Sequence, residues 1–401
     1  MPHPWLIVAG DFWPLGGMDK ANYSLAWYLA ERLRRDVTLV AHRVAEPLAG
    51  HPGVTVVKVR RPRGLHLLGM PLLDRAGRRA AARLTAAHPD ARVLVNGGNC
   101  GWAGVSWVHM VHHACPARHA GAPMLFRLKN RLARWLSCRQ ETRRLPNAPL
   151  LIANSQRTRR DLIDLVGVAP DRVRTLYLGS GCEEAVPVTP AEQEQVRRRL
   201  ALAPGVPVLL FVGAIGYDRN KGLDTLLAAC RLLDTGGMPG TVLLVAGGGR
   251  QEFWRQQAAA LGLADRVRFL GLVDDVPGLL AAADLLVSPT RYDAYGLAVH
   301  EALCRGRAAI VSRAAGVSER YPPELTRLLL DDADSAPELE RRIADWFAHR
   351  DALQPAVDRL AADLRRRSWD DVAADVVALV ESGASGMGSP AREEGDGSRN
   401  R

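Results

Sequence analysis

Two carboxylates, Asp293 and Glu301, lie eight positions apart with Gly296 between them. The run from Leu297 to Cys304 is largely apolar and suits a helix, and DLLVSP (284–289) before it reads as a strand. A helix N-terminus carries unpaired N–H groups and a partial positive charge, which makes it a seat for phosphate. Glycine at that end lets a ligand approach the backbone closely. Asp293 stands before the helix, and Glu301 falls about one and a half turns inside it. The two acids can therefore reach different parts of one ligand whose phosphates rest on the helix end. Taken alone the pair has a plainer account, in which Asp293 caps the helix and Glu301 is solvated surface.

Other chemistry-bearing residues are unevenly placed. The net charge is +10 and comes almost wholly from arginine; lysine occurs only at Lys20, Lys58, Lys129 and Lys221. Of these, Lys20 and Lys221 lie in or beside glycine-bearing loops. The segment SWVHMVHHACPARHA (106–120) holds His109, His112, His113, His119 and Cys115. It follows an apolar run, so it sits at the carboxyl end of a strand. Zinc is the rival use of such a cluster, but the spacing matches no common ligand pattern. His113 and His119 read as loop residues. The six cysteines form no CxxC pair, which suits a reduced, cytoplasmic chain.

These residues need elements to hold them. Apolar runs at 5–12, 36–43, 53–59, 92–97, 105–111, 149–155 and 172–179 alternate with helical patterns. A linker and helix at 187–207 follow. Then runs at 206–213, 241–247, 267–271, 284–289, 308–312 and 326–330 repeat the alternation. Strands alternating with helices twice over predict two doubly wound α/β domains with parallel sheets. In such sheets ligands sit at the carboxyl ends of strands. An amphipathic helix over 368–382, with Ser368 as N-cap, ends the folded part, and the Gly/Ser-rich segment 383–401 is expected to be disordered. No stretch approaches a membrane span, and the first residues carry no secretory leader. The segment LFRLKNRLARWLSCRQETRR (125–144) places Leu125, Leu128, Leu132, Trp135 and Leu136 on one helical face and Arg127, Arg131 and Arg134 on another. Its preferred account is a packed helix with a solvated basic face; the sharper one is peripheral contact with an anionic membrane through 126–144. No aromatic-interleaved basic stripe points to nucleic acid, and no G-x-G-x-x-G follows the first strand, against a dinucleotide oxidoreductase.

The segment YDAYGLAVHEALCRGRAAIVS (292–312) resembles the carboxylate-pair motif, usually written E-x7-E, of retaining glycosyltransferases of family 4. Further segments match that family in the same order, among them GGMDKANYSLAWYLAERL, LIANSQRTRRDLI, FVGAIGYDRNKGLDTLLAA and GVSE (316–319). The resemblance covers nearly all of the chain except the tail. It implies a GT-B fold: an acceptor domain over 1–188, a nucleotide-sugar domain over 189–367, both Rossmann-like and facing a cleft, and a helix over 368–382 returning to the first domain. It implies transfer of a sugar, a hexose in expectation, from a nucleoside-diphosphate sugar, UDP- or GDP-linked, without metal or further cofactor. The acceptor is left as a small molecule, a glycan or a lipid-linked group, met in the cytoplasm or at the inner membrane face.

By that resemblance Glu301 accepts the ribose hydroxyls and Asp293 contacts the donor sugar. Gly296 and Leu297, with Tyr295 beside them, offer the phosphate-binding turn. Lys221 lies on the diphosphate, and Gly16 and Gly17 form a loop that closes over phosphates and sugar. A histidine belongs near the reacting centre, His109 or His112, and the choice stays open. Two departures stand out. The first acid is Asp293 where the family has Glu, and Ala214 replaces an expected arginine. Arg219 either supplies the missing cation or is a solvated loop arginine. The alternative function is a nucleotide-sugar-binding protein without transfer activity.

Overall fold

The structure is a computed structural model, and it describes residues 3–116, 121–181 and 186–385. Two parallel sheets organise it. The first has seven strands: β1 (Trp5–Val8), β2 (Val37–Ala41), β3 (Val54–Lys58), β4 (Arg92–Asn96), β5 (Val105–Val108), β6 (Leu151–Ala153) and β7 (Val173–Thr175), in the order β3-β2-β1-β4-β5-β6-β7. The second has six: β8 (Val208–Val212), β9 (Val242–Ala246), β10 (Val267–Gly271), β11 (Leu285–Ser288), β12 (Ala309–Ser312) and β13 (Leu329–Leu330), in the order β10-β9-β8-β11-β12-β13. Each order reverses beside its first strand, the doubly wound arrangement that opens a crevice at the carboxyl ends. The central strands are apolar because helices cover both faces. Every residue of β1 is buried, whereas β3, at the sheet edge, is only partly covered.

The helices that matter for the cleft are α1 (Met18–Trp27), α2 (Met124–Arg144), α3 (Gln156–Asp164), α4 (Leu223–Thr235), α5 (Leu297–Cys304), α6 (Ala336–Arg365) and α7 (Trp369–Ser385). The last returns to the first sheet, packing on α1 and β4. Ion pairs pin it there: Arg32 with Asp370 at 3.2 Å and Arg35 with Glu381 at 3.3 Å. Ser368 does cap α7: the Asp371 N–H donates to Ser368 Oγ at 3.1 Å, and Asp371 Oδ2 accepts from the Ser368 N–H at 2.8 Å. This reciprocal capping box starts the helix. The helix runs to Ser385, three residues past its expected end. The rest of the expected tail, with His119 and Cys182, lies outside the described residues. Among the described residues no helix is long and apolar enough to cross a membrane.

One expected packing arrangement is absent. The apolar stripe of α2 is not covered: Leu125 is 80% exposed and Trp135 54%. The residues α2 buries are Ser137 and Glu141. The helix is held by Glu141 on its polar side and by the Phe126 ring against Tyr217, with centroids 5.0 Å apart, and most of its apolar stripe is left open.

Candidate active site

The two loops that carry the strongest sequence signals lie side by side, because β8 and β11 are neighbours in the second sheet. One loop, 213–222, leads from β8 to α4; the other, 289–296, leads from β11 to α5. Backbone groups brace them together. Asn220 Nδ2 donates to the Tyr292 carbonyl at 2.9 Å, the Arg291 N–H to the Asn220 carbonyl at 2.7 Å, and Thr290 Oγ1 to the Asn220 carbonyl at 3.1 Å. Both loops end on a glycine in the left-handed region. Gly222 has φ +74°, and a Cβ there would lie 1.9 Å from the Pro289 carbonyl oxygen; Gly296 has φ +103°, with Val317 at 3.0 Å from such a Cβ. Each glycine is the N-cap of its helix and no side chain caps either one. Two helix N-termini therefore present free N–H groups at one end of the sheet, an anion-binding geometry.

Lys221 and Asp293 meet between these loops. Lys221 Nζ donates to Asp293 Oδ2 at 2.5 Å. Burial works against the ammonium, but the Asp293 charge and hydrogen bond outweigh it and hold the Lys221 pKa above its ordinary value. Asp293 also receives the Tyr295 N–H on Oδ1 at 3.4 Å. It does not cap α5. Its own backbone is fixed by bonds to Ala314 and Gly316, so the carboxylate is aimed by the fold. On α5, Leu297, Ala298 and Glu301 are the partly exposed residues, while Val299, His300, Ala302 and Leu303 are buried. Glu301 is thus half-buried on the open face and not a freely solvated residue.

Tyr295 contributes backbone only. Its ring is buried and its hydroxyl pairs with His300 Nδ1 at 2.8 Å. Arg219 is not a freely solvated loop arginine: its guanidinium pairs with Asp224 Oδ2 at 3.4 Å, in the first turn of α4, and its carbonyl accepts from Arg291. A four-part ionic cluster of Arg219, Asp224, Arg291 and Asp334 takes up its charge.

The first sheet supplies the opposite wall. Gly16 and Gly17 lie in an exposed loop before α1, with open space above them. Lys20, in the first turn of α1, reaches across to Glu301, with Nζ 3.3 Å from Oε1. Its part in the site was missed, because the partners are 281 residues apart; the scarcity of lysine was the available clue. The loop after β5 carries the histidines. His112 Nδ1 lies 2.6 Å from Glu141 Oε1, and the His112 N–H donates to the same carboxylate at 2.8 Å. Glu141 is 3% exposed and is the lone acid among seven basic residues over 126–144. That isolation was its signal. The carboxylate orients the partly exposed His112 ring and leaves Nε2 for a ligand. His109 is different: it is buried against Trp107, with ring centroids 4.5 Å apart, and neither ring nitrogen has a partner among the described residues. Burial pushes its pKa down to about 3, so the ring is neutral. His113 Nε2 lies 3.1 Å from the Cys138 carbonyl oxygen and 3.0 Å from Thr142 Oγ1. His113, Cys138 and Glu141 are close enough together to hold a metal ion, but Glu141 already takes N–H groups of residues 112 and 113.

Three contacts lock the walls face to face. The Val111 N–H donates to Tyr292 Oη at 2.9 Å, which sets the His112 loop beside Asp293. Ser155 Oγ donates to the Ala294 carbonyl at 2.6 Å. Glu319 accepts the N–H groups of Gln156 and Arg157 at 2.9 and 2.6 Å, capping α3 from the other half.

Two family models match this chain in succession: one described as Glycosyltransferase Family 4 over residues 15–183, the other as Glycosyl transferases group 1 over 206–349. The D-inositol 3-phosphate glycosyltransferase of Salinispora tropica is 29% identical over 360 residues, covering 84% of this chain and 71% of that protein. A sucrose-phosphate synthase from Thermosynechococcus elongatus superposes with a TM-score of 0.75 at 21% identity, covering 96% of this chain and 100% of that one. The Anabaena protein HepE, solved with UDP and glucose, gives 0.68 at 18% identity, covering 95% and 100%.

Proposed function

The chain belongs to the family 4 glycosyltransferases and has their GT-B fold, and from that premise we propose that it moves a hexose from a nucleoside-diphosphate sugar to an acceptor with retention of configuration. The observation that carries this is the meeting of Lys221 and Asp293 between two uncapped helix N-termini, with Glu301 on the open face of α5. The diphosphate rests on the N–H groups of Gly296 and Leu297 and on Lys221. Fixed dipoles and a fixed cation at the departing phosphate stabilise the charge that develops there, usually the largest catalytic contribution. Glu301 accepts from the ribose hydroxyls, since a carboxylate suits two adjacent donors. Asp293 holds the sugar, and His112 Nε2 faces it from the other wall. Binding makes Lys221 exchange Asp293 for phosphate, which frees the carboxylate for sugar hydroxyls. The acceptor oxygen bonds to the anomeric carbon on the face from which the nucleotide leaves, and its proton passes to a donor phosphate oxygen. No side-chain base and no metal is needed in this scheme.

UDP is the first choice of carrier and GDP the second, because HepE was solved with UDP and glucose. The five described cysteines are all unbonded, which suits the reducing cytoplasm. A thermal-shift screen with UDP, GDP, ADP and their sugars tests the reading, since stabilisation grows with the logarithm of concentration over Kd. The expected result is a larger shift with UDP or GDP than with ADP, followed by nucleotide release from the sugar form. Binding of the sugar form with no turnover leaves nucleotide-sugar binding as the function.

A further inference from the structure

The open face of α2 forms one wall of a groove of about 1560 Å³ whose other wall is the start of α4, where Arg219 and Arg291 are already paired with Asp224 and Asp334, so the unpaired positive charge lies on the α2 side. The α2 wall has two kinds of residue. Met124, Leu128 and Trp135 line it, exposed by 82%, 62% and 54%. Arg127, Arg131 and Arg134 line it beside them. Contiguous exposed apolar surface of this kind marks a binding site more often than plain surface. Arg134 is committed to the Cys115 and His113 carbonyls, at 3.1 and 3.4 Å. The side chains of Arg127 and Arg131 are exposed and have no hydrogen bond or ion pair among the described residues. The groove also meets the site already described. Arg134 holds the loop that carries His112, and Arg219 is two residues before Lys221.

We propose that this groove binds an anionic amphiphile, a hydroxyl-bearing lipid phosphate, and that this is the acceptor class. The phosphate rests on Arg127 and Arg131, and the hydrocarbon lies over Met124, Leu128 and Trp135, a stretch of about 16 Å at 1.5 Å per helical residue. The lipid hydroxyl bonds to the anomeric carbon as the bond from that carbon to the diphosphate breaks, and the hydroxyl proton leaves with the diphosphate. A second copy of the chain is a poor occupant, because seven basic residues against one acid over 126–144 would face their like. A flat membrane surface would reach Leu125 and Leu132 on the outer side of α2, but it would not enter the groove. The acceptor assignment rests on the donor reading above; the groove's chemistry does not.

The probe is dodecyl phosphate below its micelle concentration, titrated calorimetrically beside inorganic phosphate, dodecyl maltoside and UDP. Dodecyl phosphate should bind at least tenfold more tightly than either single-feature control. R127E/R131E and Leu128→Asp change exposed side chains, so the fold should survive, and each should lose that binding tenfold or more while UDP affinity holds. Equal binding by the variants would overturn the proposal. So would binding confined to vesicles containing phosphatidylglycerol, or a dimer that R127E/R131E abolishes. Failure of both UDP and GDP to bind would sink the donor reading and leave the groove result standing.

Discussion

The cleft holds two lysine–carboxylate pairs that are built differently. Lys221 and Asp293 belong to neighbouring loops of one sheet, 2.5 Å apart, and hydrogen bonds to backbone carbonyls among Asn220, Thr290, Arg291 and Tyr292 fix both ends. Lys20 and Glu301 come from opposite walls, 3.3 Å apart, so their meeting depends on the docking of the two halves. On the proposed donor reading the first pair is a prepared site, in which charge waits where phosphate is to arrive. The second is a contact between bodies, and the loop of Gly16 and Gly17 beside it is exposed. A donor-binding wall preorganised by backbone and an opposite wall with open loops is what a transferase needs: one side holds the charged substrate, the other admits and releases it.

Breaking the prepared pair should have the largest effect. Lys221→Ala removes the fixed cation from the leaving phosphate and should lower turnover about 10²- to 10³-fold, near the cost of deleting one preorganised donor. Its melting temperature should stay close to that of the unmodified protein, since the residue lies in a loop. Normal turnover from a folded variant would remove Lys221 from the chemistry.

The next effect concerns the first turn of α1. Burial and the neighbouring Asp11 charge raise the Asp19 pKa from 3.8 to about 6, against a smaller pull from Arg43 and Arg61. The folded state therefore binds more protons than the unfolded one between about pH 4 and pH 6, and stability falls as pH rises through that window. Above it the penalty is complete. Asp19→Asn should be the more stable form at pH 7, by about 1 kcal/mol after allowing for part exposure, and should lose that advantage below pH 4. Denaturant melts at pH 3.5 and 7.5 check the sign; an advantage that grows on acidification would show it reversed.

Smallest is the bridge between walls. Lys20→Ala removes the cross-wall ion pair with Glu301 while leaving the Lys221 cation at the proposed phosphate site in place. Turnover should change less than about fivefold. A loss as large as that of Lys221→Ala would mean that both lysines serve the phosphate and that the contrast between the pairs is wrong.

Much of this was legible in sequence because parallel strands buried on both faces are continuous apolar runs, and those runs located every strand of both sheets. Asp293, Gly296 and Glu301 were legible because a strand, a turn and a helix start fall in consecutive order. What sequence does not carry is which side chain meets which across the cleft. Lys20 could not be matched to Glu301, nor Glu141 to His112, because only the packing of separate elements joins them. The partner of Arg219 was not legible either, although it is local: Asp224, five residues on, meets it in the first turn of a helix. The stripe on α2 was taken for a packed face because helical periodicity says which residues share a side but not what covers it. Its exposure is the part of the molecule that the pattern of apolar residues conceals.

The central claim is that the two carboxylates divide the donor, Glu301 on the ribose and Asp293 on the sugar. The measurement is calorimetric affinity for the bare nucleoside diphosphate and for its sugar form, on Glu301→Gln and Asp293→Asn, with turnover of the same samples. Charge-assisted hydrogen bonds are the stronger kind, so Glu301→Gln should weaken both ligands alike. Asp293→Asn should leave the bare nucleotide within about threefold, while turnover falls by one or more tenfold steps of ~1.4 kcal/mol each. Asp293→Asn weakening the bare nucleotide as much as Glu301→Gln does would contradict the account and reduce Asp293 to a support for Lys221.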